Sequence, residues 1–97
     1  MKRLIWSHPA RRDLFAIAAY YGRLDPNLPD QFLERIEEAP LVLLDFPGLG
    51  SLTRRSGVRR WRVPKTPFLL LYAEGSYGVQ VRRVLHDRSD WRGPVAP

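Results

Sequence analysis

The fold follows from one stretch, Phe68-Leu69-Leu70-Leu71-Tyr72-Ala73, which is apolar at every position. Side chains alternate between the two faces of a β-strand, so a strand of this kind meets apolar surroundings on both faces and belongs inside a sheet. The flanking sequence supports this reading. Val58 to Val63 predicts a strand before it, and Gly75-Ser76 predicts a hairpin turn into a last strand from Tyr77 to His86.

The first half of the chain has helical rather than strand periodicity. A short apolar run, Leu4-Ile5-Trp6, predicts a first strand, and Ser7 can cap the helix that follows it. Apolar residues on one stripe predict a helix from Ala10 to Tyr21. Asn27 is a candidate cap for a second helix, whose apolar stripe runs from Phe32 to Leu43.

The order β-α-α-β-β-β predicts an α+β fold, in which a helical hairpin packs on one face of a mostly antiparallel four-stranded sheet. Pro40 is expected to kink the second helix or to end its regular part, because proline removes a helical hydrogen bond. Residues 1–97 are expected to form a single domain, with residues 93–97 as a disordered tail. The second face of the apolar strand needs cover, either from the C-terminal tail or from a bound partner.

Charge is divided unevenly along the chain. Residues 1–50 carry six basic and seven acidic side chains, a net of −1, whereas residues 51–97 carry ten basic and three acidic, a net of +7, which together give the formal +6. Fourteen of the sixteen basic residues are arginine, whose planar guanidinium suits phosphate and carboxylate groups. This asymmetry favours a nucleic acid, a ribosome or an acidic protein segment as partner, with a merely solvated basic surface as the alternative.

Several classes of protein are disfavoured by composition. The chain has no cysteine, so neither a disulfide framework nor a thiolate metal site is available, and its two histidines, His8 and His86, are far apart in sequence. We expect no metal and no cofactor. No segment approaches the ~18 apolar residues of a membrane helix, and the N-terminal apolar run is too short for a signal peptide. A cytoplasmic protein without a membrane partner is therefore expected.

The motifs, taken in order, resemble the ParE/RelE toxin superfamily, and in particular its ParE branch. The matching pieces extend over residues 3–91. They are Ala10-x-x-Asp13-Leu14-x-x-Ile17-x-x-Tyr20/Tyr21, Phe32-x-x-x-Ile36, Phe46-Pro47-Gly48-Leu49-Gly50, Gly57-Val58-Arg59-x-Trp61-x-Val63, Phe68 to Tyr72, and Val84-Leu85-His86-x-Arg88-x-Asp90-Trp91.

The resemblance implies the toxin component of a type II toxin–antitoxin system. Such a toxin is neutralised in a hetero-oligomeric complex by a co-encoded antitoxin. Resemblance to the ParE branch implies DNA gyrase as the target, whereas resemblance to the RelE branch would imply ribosome-dependent cleavage of mRNA. A third reading is a basic nucleic-acid-binding module, although the predicted second helix is acidic and the aromatic residues are not interleaved with arginine in an RNA-binding pattern.

The residues favour the gyrase inhibitor over the nuclease. A metal-free ribonuclease needs a base, an acid and cations for the phosphate. The resemblance offers His86 and Arg59 for catalysis if the chain is RelE-like. However, residues 46–63 contain no lysine or carboxylate, and no tyrosine follows His86, so the set found in RelE-type relatives is incomplete. A structural role at the strand end is the expected one for His86.

Binding of the antitoxin or the target is assigned to basic residues of the second half and to one tryptophan. Arg54-Arg55 and Arg82-Arg83 are the strongest candidates for a basic surface, and Arg59 could either contact an acidic antitoxin residue or pair with a carboxylate within the fold. The full candidate set is Arg54, Arg55, Arg59, Arg60, Arg82, Arg83, Arg88 and Trp91.

Overall fold

Residues 2–87 are described by a computed structural model, in which helices pack on one face of a five-stranded sheet. The elements, in chain order, are β1 (Arg3–Trp6), α1 (His8–Leu24), α2 (Leu28–Glu38), a 3₁₀ turn (Ala39–Leu41), α3 (Val42–Asp45), β2 (Ser51–Leu52), β3 (Val58–Arg62), β4 (Phe68–Gly75) and β5 (Gly78–His86). Across residues 2–87, none of the helices combines the length and the apolar character needed to span a bilayer.

The strands lie in the order β1-β5-β4-β3-β2. β1 pairs in parallel with β5, and the other three pairings are antiparallel. The predicted α+β class, with a mostly antiparallel sheet under a helical hairpin, is confirmed. The predicted count of four strands was wrong, because Ser51–Leu52 adds a fifth strand at the edge. Two residues are too few to produce a recognisable alternation in the sequence.

The helix boundaries confirm three local predictions. Ser7 caps α1, since its Oγ accepts a hydrogen bond from the Ala10 amide at 3.2 Å. α2 ends at Glu38, and Pro40 lies in the 3₁₀ turn that follows, as its missing amide hydrogen requires. Asn27 is the N-cap residue of α2, as predicted, although its side chain makes no capping hydrogen bond.

The face of the sheet that the helices cover contains the main core. Phe68 and Leu70 of β4 are buried there, together with Ala10 from α1 and Ile36 from α2. Phe68 meets the rings of Tyr21 and Phe32 edge to face, at centroid distances of 5.9 and 5.5 Å. These contacts hold the helical hairpin against the sheet.

The opposite face, here called the open face, carries Arg60, Arg62, Leu69, Leu71 and Arg83. Leu71 lies between Arg60 and Arg83 in the strand register, and Leu69 lies beside Arg62. The two leucines are only 8% and 9% exposed. Residues 68–73 are therefore buried on both faces, as predicted, and a second molecule is not required to bury them. The predicted tail, residues 93–97, lies outside the described residues.

Candidate interaction surface

The turn between β2 and β3 presents Arg54 and Arg55 to solvent. Thr53 organises it: its amide and its Oγ1 both donate to the Val58 carbonyl, at 3.1 and 2.8 Å, and its Oγ1 accepts from the Arg55 amide at 3.2 Å. Gly57 adopts a φ of 79°, a conformation that glycine allows without steric cost. These hydrogen bonds order the turn and so fix the backbone positions of Arg54 and Arg55.

Two more arginines, Arg82 and Arg83, lie at an irregularity in the pairing of β4 with β5. Leu71 lies opposite Arg83 and Tyr72 lies opposite Val81, so Arg82 is the additional residue of a β-bulge. Bulges bend a strand and redirect its side chains. The Nε of Arg82 donates to Gln80 Oε1 at 3.3 Å.

The guanidinium of Arg83 is held by Asp13 of α1. Its Nε and one terminal nitrogen donate to the two carboxylate oxygens, at 2.8 and 3.0 Å. Asp13 also accepts the Val84 amide at 2.8 Å, and so satisfies a backbone donor beyond the end of β1. The hydrogen bond with Asp13 raises the pKa of Arg83 above its usual value. This bridge joins the helical layer to the bulge.

These elements enclose a cleft of about 450 Å³, here called the basic cleft. Four of its lining residues are arginines, and they come from α1, the β2–β3 turn and β5. The lining consists of Ser7, Pro9, Arg12, Asp13, Arg55, Gln80, Arg82 and Arg83. The structure therefore brings together Arg55, Arg82 and Arg83 from the sequence-based set. Arg12, Ser7 and Gln80 were not identified from the sequence, because no local pattern connects them to the distant arginines.

A second depression, of about 350 Å³, lies along β3 and is here called the β3 groove. It contains apolar and basic residues together with one carboxylate. Its lining consists of Leu49, Gly50, Ser51, Arg60, Trp61, Arg62, Leu69 and Asp87. Arg60 is thus placed in a different depression from Arg55, Arg82 and Arg83.

Arg59 serves the fold instead of joining either depression. Its guanidinium donates to the Gly50 carbonyl at 2.7 Å. The Tyr72 hydroxyl binds the same loop, so the two side chains together form a clamp on residues 47–50. That hydroxyl accepts the Gly50 amide at 2.8 Å and donates to the Pro47 carbonyl at 2.7 Å. Burial is the main cause of the raised pKa of Tyr72. Arg59 thus donates to main-chain carbonyls, which neither of its two sequence-based roles anticipated.

His86 lies at the end of β5, on the face that the helices cover. Its ring meets Phe68 edge to face at 5.7 Å, and its Nδ1 lies 3.1 Å from Asp87 Oδ1. The other oxygen of Asp87 accepts from Arg62 at 2.8 Å. This environment is consistent with the structural role expected for His86.

The two nuclease candidates are not adjacent. His86 lies opposite Phe68 and Arg59 lies opposite Tyr72, four positions apart on β4. Their backbones are therefore separated by roughly 13 Å along the strand direction. Of the other predicted residues, Arg88 and Trp91 lie outside the described residues. Within residues 2–87 there is no group of three or more histidine, aspartate and glutamate side chains that could hold a metal ion.

Comparison with known proteins agrees with this architecture. The chain is 29% identical over 90 residues to the candidate toxin Y4kP of Sinorhizobium fredii, and the alignment covers 93% of each protein. Among solved structures, a chain of the chromosomal ParDE toxin–antitoxin system from P. aeruginosa matches with a TM-score of 0.79 at 26% identity. That match covers 89% of this chain and 96% of the other.

Residues 4–91 match the family described as the ParE toxin of the type II toxin–antitoxin system parDE. This match runs from the second residue of β1 to beyond the end of β5. The chain therefore belongs to the ParE toxin family, whose members work in a system with an antitoxin partner.

Proposed function

We propose that this toxin acts by inhibiting DNA gyrase and does not itself cleave RNA. The observation that carries the proposal is the separation of His86 from Arg59. His86 packs against Phe68 and contacts Asp87, whereas Arg59 is bound to the Gly50 carbonyl about four strand positions away. A metal-free nuclease needs its proton-transfer group and its phosphate-binding cation around one scissile bond. Gyrase inhibition requires no such assembly and places the toxin in the cytoplasm with its target.

The test is gyrase supercoiling and DNA cleavage in vitro, with purified toxin added with and without ATP. We expect blocked supercoiling or accumulated cleaved DNA, and we expect prior addition of the antitoxin to abolish the effect. Ribosome-programmed mRNA cleavage is measured in parallel. Cleavage of mRNA that is lost in His86→Ala, together with no effect on gyrase, would establish the RelE-type activity instead.

The antitoxin, in the same proposal, binds the open face through the β3 groove and forms a hetero-oligomeric complex with the toxin. Leu49, on the rim of the groove, is 53% exposed although it is apolar. Leu69 lies in the same groove opposite Arg62 in the strand register, and Arg60 also lines the groove. An amphipathic segment with acidic residues complements this surface, because its apolar side chains can cover the leucines while its carboxylates meet the arginines.

Leu49→Asp tests the proposed antitoxin surface, because it places a negative charge where an acidic segment would bind. We expect antitoxin affinity to fall at least tenfold by calorimetry. The matched control is Leu24→Asp, at a leucine that is 64% exposed at the end of α1. Equal affinities of the two variants would show that the antitoxin binds elsewhere.

A further inference from the structure

The basic cleft has a composition distinct from that of the β3 groove. Four guanidinium groups and a single carboxylate line it, a formal net charge of +3 from 4 − 1. The one carboxylate, Asp13, is already bonded to Arg83 and to the Val84 amide. Apart from Pro9, every lining residue has a polar or charged side chain. The cleft therefore concentrates positive charge among side chains that are polar or charged.

Two of its arginines are available to bind a ligand. Arg12 on α1 and Arg55 in the β2–β3 turn are both exposed. Among the interactions of residues 2–87, the guanidinium groups of these two residues make no hydrogen bond and no ion pair. An unpaired pair of guanidinium groups that face the same cleft repel each other until an anion lies between them.

The other two arginines are held in place before any ligand arrives. Asp13 binds Arg83 through two parallel hydrogen bonds, and Gln80 accepts from Arg82. Side chains that are already positioned lose less conformational entropy on binding. The cleft thus combines two fixed cations with two exposed ones.

We propose that the basic cleft binds the phosphate backbone of DNA. Arginine recognises phosphate oxygens through its planar array of donors, and backbone binding needs charge without apolar anchors. A bound peptide segment, in contrast, draws affinity from apolar and aromatic side chains buried in pockets. The β3 groove has the apolar side chains of Leu49, Trp61 and Leu69 and a formal net charge of +1 from two arginines and one aspartate, whereas Pro9 is the one apolar residue that lines the basic cleft, whose net charge is +3. The contrast between the two depressions favours DNA for the basic cleft.

This inference goes beyond gyrase inhibition, because it assigns direct DNA contact to the toxin itself. It is compatible with action on gyrase, whose substrate is DNA, but it does not depend on that target. The two proposals can therefore fail separately.

The experiment measures binding of purified toxin, separated from its antitoxin, to a fluorescein-labelled DNA duplex of random sequence. Anisotropy titrations are run between about 50 and 200 mM salt, because each phosphate contact contributes about −0.9 to the slope of log K against log salt. The variant Arg12→Ala/Arg55→Ala removes the two exposed arginines of the cleft. We expect at least a tenfold loss of affinity near 50 mM salt and a slope that is shallower by about 2.

The matched control is Arg11→Ala/Arg23→Ala, which removes the same charge from exposed positions of α1 that do not line the cleft. We expect it to retain most of the affinity and the slope. Circular dichroism and thermal unfolding establish that both variants keep the fold. Equal losses in both variants would show that binding depends on overall charge, and would overturn the proposal.

Two other outcomes would also overturn it. One is an absence of DNA binding by the unaltered toxin at low salt. The other is retention of DNA binding by the cleft variant together with loss of binding to a poly-glutamate peptide, which would assign the cleft to an acidic protein segment. If the unaltered toxin binds DNA through the cleft but leaves gyrase unaffected, the inference stands and the proposed function fails. If toxin that cannot bind DNA still inhibits gyrase, the reverse holds.

Discussion

On the helix-covered face of β4, Phe68 and Leu70 are buried by residues that the same chain supplies from α1, α2 and β5. On the open face, Leu71 lies between Arg60 and Arg83, and Leu69 lies between Arg62 and Leu85. The two faces are formed by alternate residues of the same strand, yet one is closed by apolar packing and the other by charged side chains. Folding energy is therefore expected to come mainly from the first face, and binding from the second.

The largest effect is expected for Phe68→Ala. This residue is 1% exposed and contacts three rings, so its truncation leaves a cavity in the main core. We expect the free energy of unfolding to fall by about 3–5 kcal/mol, measured by urea denaturation. Phe15→Ala, at a phenylalanine that is 77% exposed on α1, should change it by no more than about 0.5 kcal/mol. Comparable losses in the two variants would contradict the expectation that folding energy comes mainly from the helix-covered face.

A smaller loss is expected for Tyr72→Phe. The substitution keeps the ring but removes the hydroxyl that bonds to the Gly50 amide and the Pro47 carbonyl. Leaving the buried Gly50 amide and the partly buried Pro47 carbonyl without their partner costs about 1–3 kcal/mol of unfolding free energy. The control is Tyr20→Phe, where a tyrosine on α1 is half exposed. A loss no larger than that of the control would show that the clamp on residues 47–50 does not contribute to stability.

Alkaline pH is expected to lower the stability of the fold through Tyr21 and Tyr72. Burial raises the pKa of both Tyr21 and Tyr72 above the usual 10.0. The folded state then retains protons that the unfolded state releases, so stability is complete below about pH 10 and falls as the pH rises further. Denaturation at several pH values above 9 should show a shallower decline in the double variant Tyr21→Phe/Tyr72→Phe. An unchanged decline would mean that other groups govern alkaline unfolding.

The smallest effect is expected on the open face, for Arg62→Ala. Its ion pair with Asp87 is at 2.8 Å, but the Arg62 side chain is 58% exposed. Exposed pairs contribute about 0–1 kcal/mol, since solvent screens them. Thermal unfolding should therefore shift little, although antitoxin affinity should fall because the residue lines the β3 groove. A loss of several kcal/mol would show that the open face contributes to folding as much as the covered face does.

The sequence predicted those features that repeat along the chain. The apolar stripes of α1 and α2 and the continuous run at 68–73 were sufficient for the element order and the fold class. Local chemistry was also readable, since Ser7 caps α1 and Pro40 lies just beyond the regular part of α2. These predictions depend on periodicity or on one residue's covalent structure, and neither requires knowledge of distant neighbours.

The sequence could not predict features created by pairing between distant segments. The bulge at Arg82 depends on the register between β4 and β5, and the basic cleft depends on Arg12, Arg55 and Arg82 meeting from three separate elements. Arg59 was identified from a family motif, but its bond to the Gly50 carbonyl depends on where residues 46–50 turn. The grouping of the candidate residues therefore required the structure.

The parallel pairing of β1 with β5 has a consequence for how the toxin is made. Arg3 lies opposite Gly78, and a side-chain carbon at Gly78 would collide with the main chain of Arg3. The bond from Ser7 to the Arg82 carbonyl spans 75 residues. At roughly 5–20 residues per second of translation, β1 waits on the order of 4–15 s for its partner strand. The basic cleft, which takes residues from α1 and from β5, is completed only after β5 has been synthesised and has left the ribosome.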